Sequence, residues 1–321
     1  MPKINIFCKA SVVEGLGHLF RQIHIASELR KQNVDIVFYI PRFPTAENIL
    51  KKYNFSQKII DRFEQPLITN MGKTDATILD IQDTPSSLIK FLRKQSCKIV
   101  SFEDQGEGRN LVDLLIDCNL NSDDSKNIPQ KVKTLFGLSY SVLGPNFETQ
   151  HTQKRDFSDK IETLLLTFGG TDPHNITLDL AKQVPKNIKT TIILGAGFKN
   201  EDGLQKFDSI QIEKNVQDMA SMLVNHDAVF CSGGVTLHEA MCVGTPAFVI
   251  SQAPHQEDKA KMAEKAGAGI NLGQAKSWDE NRLPEIFKLG RKNLHDMSMA
   301  GKNCINGKGL KKVVKAILAT S

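Results

Sequence analysis

The sequence predicts an α/β protein made of two doubly wound domains with mostly parallel sheets. Strand-sized apolar runs alternate with amphipathic helical segments, and a polar, aperiodic stretch at 144–158 splits that alternation into two blocks. Glycine pairs stand where strands give way to helices. A length of 321 residues accommodates two domains of ordinary size.

In the first block, strands are expected at 4–8, 35–40, 76–81, 98–102, 114–116 and 140–143, with helices at 18–31, 45–54 and 85–95. Leu19, Ile23, Ala26 and Leu29 recur at helical spacing, so 18–31 has one buried face. Residues 148–160 read as a linker between a first domain at 1–147 and a second at 161–306. The second block predicts strands at 162–168, 190–194, 209–213, 227–231, 246–250 and 269–272. Its helices are expected at 173–183, 216–224, 235–243, 256–266 and 279–301. The last segment, 307–321, holds a helix at 308–319 that is basic on one side and apolar on the other. Whether it packs back on the first domain is left open. In doubly wound sheets ligands bind beyond the carboxyl ends of the strands, and two facing domains would place the site in the cleft between them.

Composition narrows the function. A net charge of +5, spread along the chain, is too mild for a nucleic-acid partner but suits an anionic ligand. No apolar run approaches a membrane span, and the opening MPKINIFCKA reads as a buried strand and not a secretory signal, so a cytoplasmic protein is expected. The 6 cysteines form no CxxC pair and read as small buried hydrophobes, which sets aside zinc and a disulfide framework. The chain has no GxxxxGK[ST] and no GxGxxG after its first strand, which argues against a P-loop NTPase and a dinucleotide dehydrogenase. It also has no Asp-x-Asp to bridge a metal to a diphosphate. No metal and no cofactor are therefore expected. A bound diphosphate would rest on helix ends and hydrogen-bond donors.

The most informative stretch runs from Phe230 to Pro246, FCSGGVTLHEAMCVGTP. A strand ends at Ser232, Gly233 and Gly234 let a ligand approach the backbone, and a helix then starts with free N–H groups at Val235 and Thr236. Thr236 can add its hydroxyl. Glu239, three residues on, shares that face and could accept hydrogen bonds from a ribose diol. The plainer alternative is a tight strand–helix turn with a solvated glutamate. A second candidate is Gly169, Gly170 and Thr171, followed by Asp172 as N-cap and Pro173 at the first helical position. Gly195 and Gly197 are a weaker third. His255, Gln256, Glu257 and Asp258 open another helix, where Gln256 and Glu257 could reach sugar hydroxyls.

These residues resemble a known group. Gly15-Leu-Gly-His18 with Arg21, Tyr140-Ser-Val-Leu143, Phe168-Gly-Gly-Thr-Asp-Pro173 with Asn175, and Ser232-Gly-Gly-Val-Thr236 with Glu239 occur in one order along most of the chain. Together they are similar to GT-B nucleotide-sugar enzymes, the group of the pseudaminic-acid-pathway UDP-sugar hydrolase and SpsG, and more distantly to MurG. The resemblance implies two Rossmann-like domains facing a cleft. It implies a second domain that binds the nucleotide through the Gly233–Thr236 turn and Glu239, and a first domain that supplies the reacting group. His18, after Gly17, matches the hydrolase's catalytic histidine. Two segments depart from the hydrolase. Phe7-Cys-Lys9 replaces its Arg-x-Asp, and Phe102-Glu-Asp-Gln-Gly-Glu107 replaces its acidic-His-Tyr segment.

Histidine suits proton removal from an attacking hydroxyl or water because its ordinary pKa of about 6.5 lies near working pH. Glu14, Glu103 and Asp104 are the candidate carboxylates that would orient His18. His24 and His238 read as structural, and Lys9 as either an anion contact or a solvated strand end. The expected reaction is metal-independent cleavage of the glycosyl–phosphate bond of a nucleotide diphosphate sugar, a UDP-sugar by resemblance. The altered hydrolase segments favour transfer to an acceptor, in surface polysaccharide or nonulosonic-acid biosynthesis. Hydrolysis, epimerisation and a non-catalytic nucleotide-sugar-binding role are the alternatives.

Overall fold

The computed structural model describes residues 1–11, 15–61, 63, 72–119, 126–195, 197–204, 207, 210–214 and 216–319; the side chain of His255 lies outside the description. The chain divides into two compact units, Met1–Gly144 with Lys308–Ser321, and Pro145–Gly307.

The first unit is a 7-stranded sheet in the order β3-β2-β1-β4-β5-β6-β7. Its strands are β1 (Lys3–Cys8), β2 (Asp35–Ile40), β3 (Ser56–Ile59), β4 (Thr74–Asp80), β5 (Ser96–Phe102), β6 (Leu114–Asp117) and β7 (Lys133–Phe136). Every pairing is parallel. Strand β1 is apolar on both faces because both faces are covered. Ile4, Ile6 and Cys8 enter the core shared with α1 (Gly17–Lys31), α2 (Pro44–Lys52) and a last helix, Gly309–Leu318. Phe7 enters a second core shared with α3 (Ser86–Leu92). Helix α1 buries Leu19, Ile23, Ala26 and Leu29, and its last turn carries Arg30 and Lys31, the favourable sign for a helix C-terminus.

The second unit is a 6-stranded parallel sheet in the order β10-β9-β8-β11-β12-β13. Its strands are β8 (Thr163–Thr167), β9 (Lys189–Leu194), β10 (Ile210–Lys214), β11 (Ala228–Cys231), β12 (Ala247–Ser251) and β13 (Gly269–Gln274). The helices are α4 (Asn146–His151), α5 (Ile176–Gln183), α6 (Met219–Val224), α7 (Val235–Val243), α8 (Pro254–Lys265), α9 (Leu283–Ile286) and α10 (Arg291–Cys304). Helix α11 (Gly309–Leu318) then belongs to the first unit, where Leu310, Val313, Val314 and Ile317 join its core. Lys98, buried on β5, pins this helix by donating its Nζ to the Ile317 carbonyl at 2.8 Å and the Ala316 carbonyl at 3.3 Å. Burial pushes the Lys98 ammonium down to about 8.

Several expected elements differ. Residues 140–143 are not a strand: Gly137, at φ +89°, turns the chain into a 3₁₀ turn at Leu138–Tyr140, and the edge strand is β7 instead. The expected linker starts inside α4, buries Phe157, and holds Arg155. That guanidinium donates to the carbonyls of Leu223, Val224 and His226 at the end of α6. The helix expected at 279–301 is broken into a 3₁₀ turn at Glu280–Arg282, α9 and α10, with Gly290 capping the start of α10. The helix expected from 173 begins at Ile176.

Candidate active site

In each sheet the strand order reverses beside the first strand of the unit: between β1 and β4 in one, between β8 and β11 in the other. Loops diverge at such a point and leave a crevice at the carboxyl ends of the strands. Gly17 and His18 follow β1 in the first unit, and Gly169–Thr171 and Gly233–Thr236 follow β8 and β11 in the second, beside those points.

In the first unit, α1 begins without a side-chain cap, and His18 sits in its first turn after Gly17. Its partner is Asp80, the last residue of β4. His18 Nδ1 lies 2.7 Å from Asp80 Oδ1. Arg21, one turn along α1, grips the same carboxylate with two nitrogens, Nε to Oδ2 at 2.9 Å and Nη2 to Oδ1 at 2.7 Å. Gln22 Nε2 adds a bond to Oδ2 at 2.8 Å. Asp80 is fully buried. Burial opposes its charge, but the Arg21 guanidinium, and after it His18, outweigh burial and hold the carboxyl down at about 2. An ionised carboxylate only accepts, so Nδ1 of His18 carries the hydrogen, and in the neutral ring Nε2 keeps its lone pair. That is the tautomer a general base needs. Burial, and after it the same carboxylate, push the neighbouring Cys8 thiol well up, consistent with an inert packing residue.

The three carboxylates proposed from sequence therefore need correction. Glu103 binds the far side of Arg21, with Oε1 2.7 Å from Nη1, while Asp80 is the carboxylate on His18. Asp104 is buried and accepts from the Thr84 and Gly106 amides at 3.0 and 2.9 Å and from Ser101 Oγ at 2.6 Å, so it shapes the loop after β5. Glu14 lies outside the described residues. Lys9 follows β1, and its amide donates to the Asp80 carbonyl at 3.1 Å. Asp80 was missed because its distance of 62 residues from His18 is closed only by the sheet order. Its one sequence signal is an acid that ends an apolar strand.

In the second unit, the turns after β8, β9, β11 and β12 meet. A Cβ on Gly233 would lie 2.2 Å from the Gln256 main-chain oxygen, so only glycine allows the β11 turn to approach the start of α8. A Cβ on Gly195 would lie 2.2 Å from the Gly169 oxygen, and the Gly197 amide donates to the Gly170 oxygen at 2.8 Å. Gln252 ties the turn after β12 to the turn after β8. Its Nε2 donates to the Phe168 carbonyl at 3.0 Å and to Asp172 at 3.3 Å, and its amide donates to Gln256 Oε1 at 2.9 Å.

The two glycine turns differ in what they offer an anion. Asp172 accepts from the amides of Ile176 and Thr177 at 3.1 and 2.8 Å, so the first amides of α5 are already engaged. The start of α7, after Gly233 and Gly234, has no side-chain cap and no acidic residue in its first turn. Its amides, with Val235 and Thr236 only partly buried, are available to a phosphate. Glu239 is half-buried on α7, and burial pushes its carboxyl up to about 7. Glu257 is engaged by Gln274 and by Lys261, at 3.0 Å, which hold its carboxyl below the usual range. Among the described residues no group of three or more His, Cys, Asp or Glu is placed to hold a metal ion, and no helix is long and apolar enough to cross a membrane.

No protein-family model matches the chain. It is 28% identical to an uncharacterized protein of Methanocaldococcus jannaschii over 80% of its own length, and spans 57% of that protein. It is 26% identical to the spore coat polysaccharide biosynthesis protein SpsG of Bacillus subtilis, over 97% of this chain and 96% of that one. Identity is 23% to the UDP-2,4-diacetamido-2,4,6-trideoxy-beta-L-altropyranose hydrolase of Campylobacter jejuni, over 79% and 93%. Among solved structures, Acinetobacter baumannii MurG superposes with a TM-score of 0.68 at 16% identity, covering 99% of this chain and 100% of that one. The chain is thus an α/β enzyme of GT-B architecture, similar along most of its length to SpsG and to the UDP-sugar hydrolase, the group its motifs resemble.

Proposed function

We propose that the protein cleaves the glycosyl–phosphate bond of a UDP-sugar without a metal and passes the sugar to an acceptor hydroxyl in surface-polysaccharide or nonulosonic-acid biosynthesis. The observation that carries this is the His18–Asp80 pair: a buried carboxylate fixes the imidazole in the tautomer whose Nε2 accepts a proton. The uncapped start of α7 supports it as the seat of the leaving diphosphate, whose charge the amides of Val235 and Thr236 and the helix dipole would meet. Glu239 is then the ribose partner, and Gly233 and Gly234 let the phosphates approach the main chain. Gln256 packs against Gly233 and shapes the turn. The likeness to the Campylobacter jejuni hydrolase favours water as a second acceptor to consider.

UDP release from a panel of UDP-sugars, followed with and without candidate acceptors and with EDTA present, tests this reading. Transfer predicts acceptor-dependent release that survives EDTA; acceptor-independent release identifies the hydrolase. His18→Ala should lower turnover by about 10²–10⁴-fold, the usual worth of a positioned base. Tight UDP-sugar binding with no cleavage by any route would leave only a nucleotide-sugar-binding role.

The same reading fixes a pH dependence. Both oxygens of Glu239 can accept from a ribose diol only when the carboxyl is ionised, and burial holds that carboxyl up at about 7. UDP binding should therefore tighten as pH rises from 6 to 8, by up to about tenfold, with release of a proton. Calorimetry in two buffers of different ionisation heat measures that proton. Glu239→Gln should bind more weakly and lose the pH dependence.

A further inference from the structure

We propose that Glu103 is a positioning residue that acts through Arg21 to keep the hydrogen of His18 on Nδ1. The geometry sets up a competition. His18 Nδ1 lies 2.7 Å from Asp80 Oδ1, but it also lies 3.1 Å from Arg21 Nη2. Asp80 can only accept, so it calls for a hydrogen on Nδ1. Arg21 can only donate, so it calls for a lone pair there. If Arg21 prevails, the hydrogen moves to Nε2 and the ring has no basic nitrogen facing outward.

Glu103 weighs on the side of Asp80. Its Oε1 lies 2.7 Å from Arg21 Nη1, so all three guanidinium nitrogens meet carboxylate oxygens. A second negative charge behind the guanidinium offsets the positive charge that Arg21 turns toward the ring. Two carboxylates thus flank one guanidinium, and an imidazolium formed in the reaction would face that pair. The guanidinium is 9% exposed and Glu103 is 14% exposed, so these charges are weakly screened.

The local backbone supports the assignment. Glu103 holds φ +45°, a left-handed conformation that a non-glycine side chain rarely adopts. Its amide donates to the Ile116 carbonyl at 2.9 Å and its Oε1 accepts from the Cys118 thiol at 3.0 Å. Such strain persists where the surroundings over-determine it, and it clusters at functional sites. Here it delivers the carboxylate to the side of Arg21 away from Asp80. The Arg21 fork itself lies over the Phe102 ring, 5.6 Å from its centroid.

The inference rests on His18 as the base, and its test separates the two. Nitrogen NMR of ¹⁵N-histidine-labelled protein, with His18 assigned by His18→Ala, reports the tautomer without substrate. The intact protein should show hydrogen on Nδ1. Glu103→Gln, of the same shape without charge, should shift the ring toward the Nε2–H form, while Glu103→Asp should retain Nδ1–H. In the UDP-sugar assay Glu103→Gln should lower kcat about tenfold, the scale of one charge acting across a guanidinium, and leave KM within about twofold. In an Arg21→Gln background, Glu103→Gln should add nothing to the ring-nitrogen shifts. Unchanged His18 nitrogens in Glu103→Gln overturn the proposal, as does an equal effect with Arg21 absent. Loss of folding in Glu103→Gln and Glu103→Asp alike would make Glu103 a structural residue and overturn it too. Absence of UDP-sugar turnover in the unmodified protein would instead count against the proposed reaction and leave the tautomer result standing.

Discussion

Asp80→Asn is expected to reduce turnover by about 10³–10⁴-fold, the scale of the corresponding change in a Ser-His-Asp triad. The substitution keeps the shape and inverts the chemistry. An amide nitrogen facing His18 Nδ1 forces that atom to accept, so the hydrogen moves to Nε2. An amide oxygen facing Nδ1 keeps the tautomer but removes the charge that balances an imidazolium and the Arg21 fork. Steady-state kinetics should show the loss in kcat, with near-UV circular dichroism confirming a folded protein. The variant should also change the response to acid. With its carboxyl held at about 2, against 3.8 when exposed, Asp80 contributes stability that is complete above about pH 4 and is lost as pH falls from there through 2. The amount is about 2 kcal/mol. Unfolding followed between pH 5 and 2 should show that loss in the unmodified protein and a flatter profile in Asp80→Asn.

Gly233→Ala is expected to weaken UDP binding by about 100-fold or more, the cost of misplacing a preorganised site by roughly 1 Å. The new methyl would stand 2.2 Å from the Gln256 main-chain oxygen, which no side-chain rotation can relieve. Either the β11 turn or the start of α8 must move, and the amides at the start of α7 move with the turn. Gly234→Ala is the control. Its methyl meets only Ser232 Oγ, at 3.7 Å, and φ there is −91°, an ordinary value. Titration calorimetry with UDP should therefore find a smaller loss in Gly234→Ala, from the methyl facing the phosphates alone, than in Gly233→Ala, where the turn moves as well. Equal losses in both would show that the ligand needs bare backbone at both positions and that the Gln256 contact is incidental.

The parts of this protein legible in its sequence are those set by local pattern. Apolar runs buried on both faces located β1, β2 and β4, and the glycine turns and His18 stood out by type and place. The edge strands of the first sheet did not. β3 reads SQKI and β7 reads KTLF, half-exposed segments without an apolar run, as edge strands tend to be. The orienting carboxylate was illegible for a different reason. Glu103 and Asp104 lie at the carboxyl end of the right sheet, and nothing local distinguishes them from Asp80. Only the reversal in strand order puts β4, and not β5, next to β1 beneath α1. Asp172 shows a third limit. It was read as the cap of a helix starting at Pro173, yet it reaches past Asn175, at φ +56°, to the amides of a helix that starts at Ile176.

The path of the chain through its two units dictates an order of assembly. Residues 145–307 form one uninterrupted unit, whereas the other cannot close its core until Leu310, Val313, Val314 and Ile317 arrive. Each of those side chains is worth about 1.5–3 kcal/mol when buried. On the ribosome, the unit begun second is thus the first able to finish, and the half bearing His18 waits, with a greasy seam exposed, until the codons of Gly309–Leu318 have been read.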